Sequence, residues 1–237
     1  MNLENIIWNE ETYQDFLQYL FQIKDEQYAS FHQNLVKNKE VKIIGIRTPI
    51  LKELAKKIAK TDYLSFFKEN KHQYYEEIIL HGLVITYLKD DFQYTLSLFD
   101  EYISYINNWA SCDIIVCNYK LFKKHLEEGF VKVNEYVHSS DSFKIRVGLV
   151  LLLTYYINEN YIDKVLTIAN HIHDEDYYVK MANAWLISVC LVKFYDKTIL
   201  FLKNNKLDDW THNKAIQKAI ESYRIKDKEE LRKLKRK

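Results

Sequence analysis

Apolar residues along this chain recur at three- and four-residue steps. Between Thr12 and Ile23 they fall at Phe16, Leu17, Leu20, Phe21 and Ile23. That spacing lines one side of a helix and does not fit the two-residue alternation of a half-buried strand. Similar stripes run through Leu51 to Ile58, Tyr74 to Leu88, Tyr94 to Ile106 and Ile114 to Leu126. Polar breaks separate them at Lys37–Ile46, Asn70–His72, Lys89–Asp90, Asn107–Asn108, Ser139–Ser142, His173–Asp176 and Lys206–Asp209. None is long enough for a linker, so one domain over residues 1–237 is expected, with a basic tail from about 226 to 237. Thr48 followed by Pro49 predicts a helix start, with Thr48 as N-cap and the proline in the first helical position.

The stripes also repeat. At a step of 34 residues, Lys144-Ile145-Arg146-Val147 falls over Tyr178-Val179-Lys180-Met181 and then His212-Asn213-Lys214-Ala215. A basic residue recurs as Arg146, Lys180 and Lys214, and apolar residues follow at Val147, Met181 and Ala215. Further on, Leu152, Leu186 and Ile220 are in register, as are the hydroxyls of Thr154, Ser188 and Ser222. Each unit is long enough for two helices, which cannot bury their apolar faces without neighbours to stack on. A tetratricopeptide array shares the step, but its Trp-Leu-Gly-Tyr and Pro signature is absent. The expectation is therefore an all-α fold, an α-α superhelix of HEAT-like helix pairs. Residues in phase would line one face, placing Arg146, Lys180 and Lys214 beside helix starts, where cations and free amides together can track a phosphate backbone.

Composition agrees with helices. Four glycines and one proline are few for the tight turns of a sheet-rich fold. The apolar run from Val147 to Leu153 is far too short to span a bilayer, and the N-terminus lacks the basic start and apolar core of a signal peptide. Three cysteines, an odd number without zinc-ligand spacing, fit free thiols in a reducing compartment. A net charge of +1 neither demands nor forbids a nucleic-acid partner. The end of the chain, Arg232 to Lys237, is basic and would be solvated or drawn to phosphates.

Candidate chemistry is sparse. Trp109 and Asp113 lie four apart on a predicted helix and share a face. Trp185 lies one repeat beyond Arg146, so stacked helices could present two indoles, a carboxylate and a guanidinium on one concave surface. His171, His173, Asp174, Glu175 and Asp176 form a local cluster, but its acids read as loop and capping residues rather than metal ligands. Cys112, beside Asp113, has no fixed histidine partner and reads as a buried thiol.

Asn107-Asn108-Trp109-Ala110-Ser111-Cys112-Asp113, Phe143-Lys144-Ile145-Arg146 and Tyr177-Tyr178-Val179-Lys180-Met181-Ala182-Asn183-Ala184-Trp185 resemble the AlkD-like DNA alkylation repair family. Ile43 to Pro49, Asn213 to Lys218 and Ser222 to Ile225 extend the resemblance over most of the chain. It implies HEAT-like repeats around a basic concave groove that holds duplex DNA. The implied activity is monofunctional excision of cationic N3- and N7-alkylpurines, with Asp113 as catalytic carboxylate. Trp109 and Trp185 would be the lesion-side aromatics, and Arg146, with Lys144, Lys180 and Lys214, would hold phosphates. The implied protein is a cytoplasmic, nucleoid-associated monomer that needs no metal or other cofactor and no membrane, its partner double-stranded DNA carrying alkylated purines. The family also includes paralogues that bind DNA structures without excising bases. Outside nucleic acids, a protein–protein scaffold is the remaining alternative.

Overall fold

The structure, a computed structural model, describes residues 1–36 and 40–236; the start of the Lys37–Ile46 break and Lys237 of the basic tail lie outside the described residues. Among the described residues the chain is helical throughout, apart from an isolated parallel bridge between Lys42 and Tyr74. The residues cluster into two compact units, one from Met1 to Leu121 and one from Phe122 onward.

In the first unit the helices are α1 (Glu10–Gln22), α2 (Glu26–Val36), α3 (Thr48–Ile58), α4 (Tyr63–Glu69), α5 (Tyr75–Tyr87), α6 (Phe92–Ile103) and α7 (Trp109–Asn118). Helix α5 packs on α3 along one side and on α7 along another. That explains why it is apolar nearly all round, with every residue from Tyr75 to Ile85 buried. Gly82 is what lets the neighbours close in: a Cβ there would lie 2.6 Å from the Tyr102 ring and 2.7 Å from Ile115 of α7. At the other end of the unit, Trp8, Tyr13, Phe16 and Phe66 form a buried aromatic cluster. The Trp8 indole N–H is satisfied there by Thr61 Oγ1 at 2.9 Å.

The second unit holds α8 (Leu126–Val137), α9 (Ser142–Leu151), α10 (Ile162–His171), α11 (Tyr177–Lys193), α12 (Tyr195–Lys203), α13 (Asp209–Glu221) and α14 (Lys228–Lys233). Helix α9 lies between α8 and α11, and α11 in turn packs on α13. Every second helix thus stacks on the next, the arrangement that the repeat of Arg146, Lys180 and Lys214 predicts. The C-terminal end of α9 widens into one π-helical turn, Leu152–Tyr156.

Helix starts follow from local chemistry. Asp62, Asp91, Asp141, Asp176, Asp208 and Asp227 each accept first-turn amides at an N-cap, as do Asn9 and Asn108. Two expected boundaries differ. The cap of α3 is Arg47, with Thr48 already helical, because the Arg47 carbonyl accepts from both Ile50 and Leu51. The stripe from Ile114 to Leu126 is not one helix: α7 begins at Trp109 and ends at Asn118, and a 3₁₀ turn follows over Lys120–Lys124. Tyr119 breaks it by turning into the core, where its hydroxyl donates to Thr95 Oγ1 at 2.8 Å.

The basic tail is also not simply solvated. Leu231 of α14 is fully buried, and His212 bonds the Leu234 carbonyl at 2.8 Å. Arg236 exchanges backbone hydrogen bonds with the Asn213 side chain, and its guanidinium reaches Asn205, Leu207 and Asp209. The tail therefore folds back onto α13.

Candidate functional site

In the first unit, Trp109 is the first residue of α7 and Asp113 lies one turn on, both partly exposed. The start of the helix is fixed from below. Buried Asn108 caps the Ser111 amide at 3.0 Å, and Ser111 returns a hydrogen bond to the Asn108 carbonyl at 2.9 Å. The Trp109 indole donates to the Leu35 carbonyl of α2 at 3.3 Å, so the ring is positioned and not merely exposed. Cys112, the residue before the carboxylate, is fully buried, as expected for a packing thiol. A partly exposed indole and a carboxylate thus share one face of a well-anchored helix.

The motif Ile43 to Pro49 has a structural reason that the sequence did not reveal. Glu76 of α5, fully buried, accepts the amides of Ile44, Gly45 and Ile46 at 2.9, 2.7 and 3.0 Å. Burial raises the pKa of this carboxyl, while the three amides favour its charged form. Gly45 adopts φ +107°, and a Cβ there would lie 2.5 Å from the Asp25 carbonyl oxygen. Arg47 then leaves the loop to pair with Asp25 at 2.7 Å and to lie over the Tyr28 ring.

In the second unit the expected cations fall into different environments. Arg146 is 3% exposed and donates to the Tyr178 carbonyl at 2.8 Å, tying α9 to α11. Lys180 is held between Glu175 at 3.3 Å and Asp208 at 3.1 Å, 5.7 Å from the Trp210 ring. Lys144 lies over Tyr136, and Lys214 reaches Gln217 at 3.4 Å. At the starts of these helices, Asp141 accepts the Lys144 amide of α9, Asp176 the Tyr178 and Val179 amides of α11, and Asp208 the Thr211 amide of α13. Each basic residue therefore stands beside a capping carboxylate that already engages part of the helix start. The acids of the His171–Asp176 cluster serve the same local purpose: Asp176 caps α11 and Asp174 accepts the Asp176 amide at 2.7 Å.

Trp185, midway along α11, is partly exposed and lines a cleft of about 320 Å³ with residues from the end of α13 and the loop after it. Tyr223 and Arg224 of that loop are residues whose role the sequence left undefined. The helical spacing of Trp185, Val189 and Val192 was the available signal.

A sequence model of DNA alkylation repair enzymes matches residues 16–223. The chain belongs to that family. No curated protein matches it significantly. For a DNA alkylation repair enzyme, the match takes in α7 with Trp109 and Asp113, as well as α9, α11 and α13. Among its described residues, no helix is long and apolar enough to cross a membrane.

Proposed function

We propose that this repair enzyme is a monofunctional DNA glycosylase that hydrolyses the N-glycosidic bond of cationic 3-methyl- and 7-methylpurines in duplex DNA. The observation that carries this reading is the pairing of a partly exposed indole with a carboxylate on anchored helix α7, in a chain of this family. Alkylation places a positive charge on the purine, so the base leaves as a neutral molecule with the bonding electrons. Positive charge then develops on the sugar. The Asp113 carboxylate stabilises it electrostatically, water adds to C1′, and one proton passes to solvent. The Trp109 indole face attracts the cationic lesion and the polarised C–H bonds of the sugar. Trp185 supplies a second aromatic surface to DNA, and Lys144 and Lys214 supply positive charge towards phosphates, whereas Arg146 is buried against the Tyr178 carbonyl and Lys180 is held by Glu175 and Asp208.

The test is release of 7-methylguanine from methylated duplex DNA, with wild type beside Asp113→Asn. Release by the variant should fall on the order of a hundredfold or more while DNA affinity stays within about twofold. Equal release by both proteins would remove Asp113 from the chemistry. Binding without release by wild type would make the chain a DNA-structure binder, and no binding at low salt would favour a protein scaffold.

A further inference from the structure

The family match ends at residue 223, so the stretch that follows lies outside what the family model covers. It is nonetheless pinned at several points. Helix α14 buries Leu231 completely, and the Tyr195 hydroxyl of α12 donates to Glu230 at 2.7 Å. Beyond α14 the Leu234 carbonyl meets His212 Nε2 at 2.8 Å. The Arg236 amide donates to Asn213 Oδ1 at 2.9 Å, and Asn213 Nδ2 donates back to the Arg236 carbonyl at 3.0 Å. The Arg236 guanidinium closes the other side, on Asn205 Oδ1 at 2.8 Å and the Leu207 carbonyl at 2.6 Å. Lys235 stands between these two anchored residues and is exposed.

The place where it is held gives it a use. Trp210, Asn213 and Lys214 are three and four residues apart, so they share one face of α13. Trp210 is 40% exposed on that face. The exchange with Asn213 therefore brings Lys235 to the side of α13 that presents Trp210 and Lys214. Lys206, also exposed, precedes the Leu207 carbonyl that Arg236 grips. Among the described residues, the acids on this side are already engaged, Asp208 with Lys180 and Asp209 with Arg236. Lys206, Lys214 and Lys235 make no ion pair there.

We propose that the C-terminal tail is a strap that adds Lys235 to Lys206 and Lys214 in a patch holding the phosphate backbone of duplex DNA. Three cations on separate segments around an open indole make a broad surface, which suits an extended polyanion and not one small anion. Each exposed lysine contributes little alone, but a polyanion gains from all of them through released counterions. A protein partner would need a wider apolar area to bury than Trp210 offers. The inference rests on the reading that the chain acts on DNA, but not on the glycosylase step, since the strap supplies affinity and no chemistry.

The experiment measures affinity of the full chain for labelled undamaged duplex across a salt series, in wild type, Lys235→Ala, Asn213→Ala and the double variant. Lys235→Ala should reduce the slope of log affinity against log salt by about one and weaken binding severalfold. Asn213→Ala removes no charge but releases the strap, so it should lose a comparable share. The double variant should lose no more than either single one. An unchanged slope in Lys235→Ala would make the strap purely structural and overturn the proposal. So would a loss in Lys235→Ala with Asn213→Ala behaving as wild type, which signals a loose cationic tail. Tighter binding of a polyglutamate peptide than of duplex, lost in Lys235→Ala, would assign the patch to an acidic protein instead. If wild type released no 7-methylguanine while the slope differences held, the glycosylase reading would fail and the strap would stand. Release with equal slopes in all four proteins would do the opposite.

Discussion

His72 and His81 face each other with ring nitrogens 2.7 Å apart, so one imidazole donates and the other accepts. His72, half-buried, stacks on Tyr105, and buried His81 on Phe67. Burial lowers the pKa of His72 to about 4, and burial together with the charge of His72 lowers that of His81 to about 3. Both are therefore neutral in the folded protein at neutral pH, while the unfolded chain protonates them near pH 6.5. Below that pH the unfolded state binds more protons, so stability is full above it and is lost as pH falls towards the folded values. Each histidine can cost up to about 1.4 kcal/mol per pH unit over that window. Denaturant midpoints between pH 7 and pH 5 should fall for wild type and fall less steeply for His81→Phe. Parallel slopes would remove the pair from acid sensitivity. At this scale the sequence was uneven. It singled out Trp109, Asp113 and Trp185, since indoles and a carboxylate at helical spacing stand out. It could not show Arg146 turned inward onto the Tyr178 carbonyl, because a surface and a buried guanidinium have the same letter.

Among the elements, α5 sets where α7 lies, and so where Trp109 and Asp113 lie. Gly82 is the point of closest approach. A methyl group at 2.6 Å from Tyr102 would force the ring or Ile115 of α7 aside. Gly82→Ala gains up to about 1 kcal/mol of helix propensity but should lose about 1–3 kcal/mol to overpacking. The net expectation is a lower denaturant midpoint at unchanged m, and weaker 7-methylguanine release as α7 shifts. A stabilised variant would mean the contact relaxes at little cost. Most helices were legible from apolar stripes and their limits from the polar breaks between them, because both signals are local. The failure at Ile114 to Leu126 came from Tyr119, whose burial against Thr95 overrides an otherwise continuous stripe. The Ile43–Pro49 motif was visible but unexplained, since its partner Glu76 lies some thirty residues away in sequence.

Across the whole molecule, DNA binding by this family member should follow the phosphate count. Log affinity should fall linearly with log salt, and losing one phosphate-contacting lysine should reduce the slope by about one. Lys214→Ala is expected to do so. Lys180→Ala should change the slope less, because Glu175 and Asp208 already compensate its charge. Equal slope changes in the two variants would mean DNA displaces those carboxylates. Both titrations need only wild type, the two variants and undamaged duplex.

What the sequence determined by itself was the helical class, the repeat phase of α9, α11 and α13, the family and the candidate pair on α7. These depend on residue types at short spacing, which one chain carries in full. Only the tertiary structure decided which cations are neutralised, that Arg146 turns inward, that the basic tail folds onto α13, and that Tyr223 and Arg224 join Trp185 at a cleft. Burial and pairing arise between residues distant in sequence, and no local pattern encodes them.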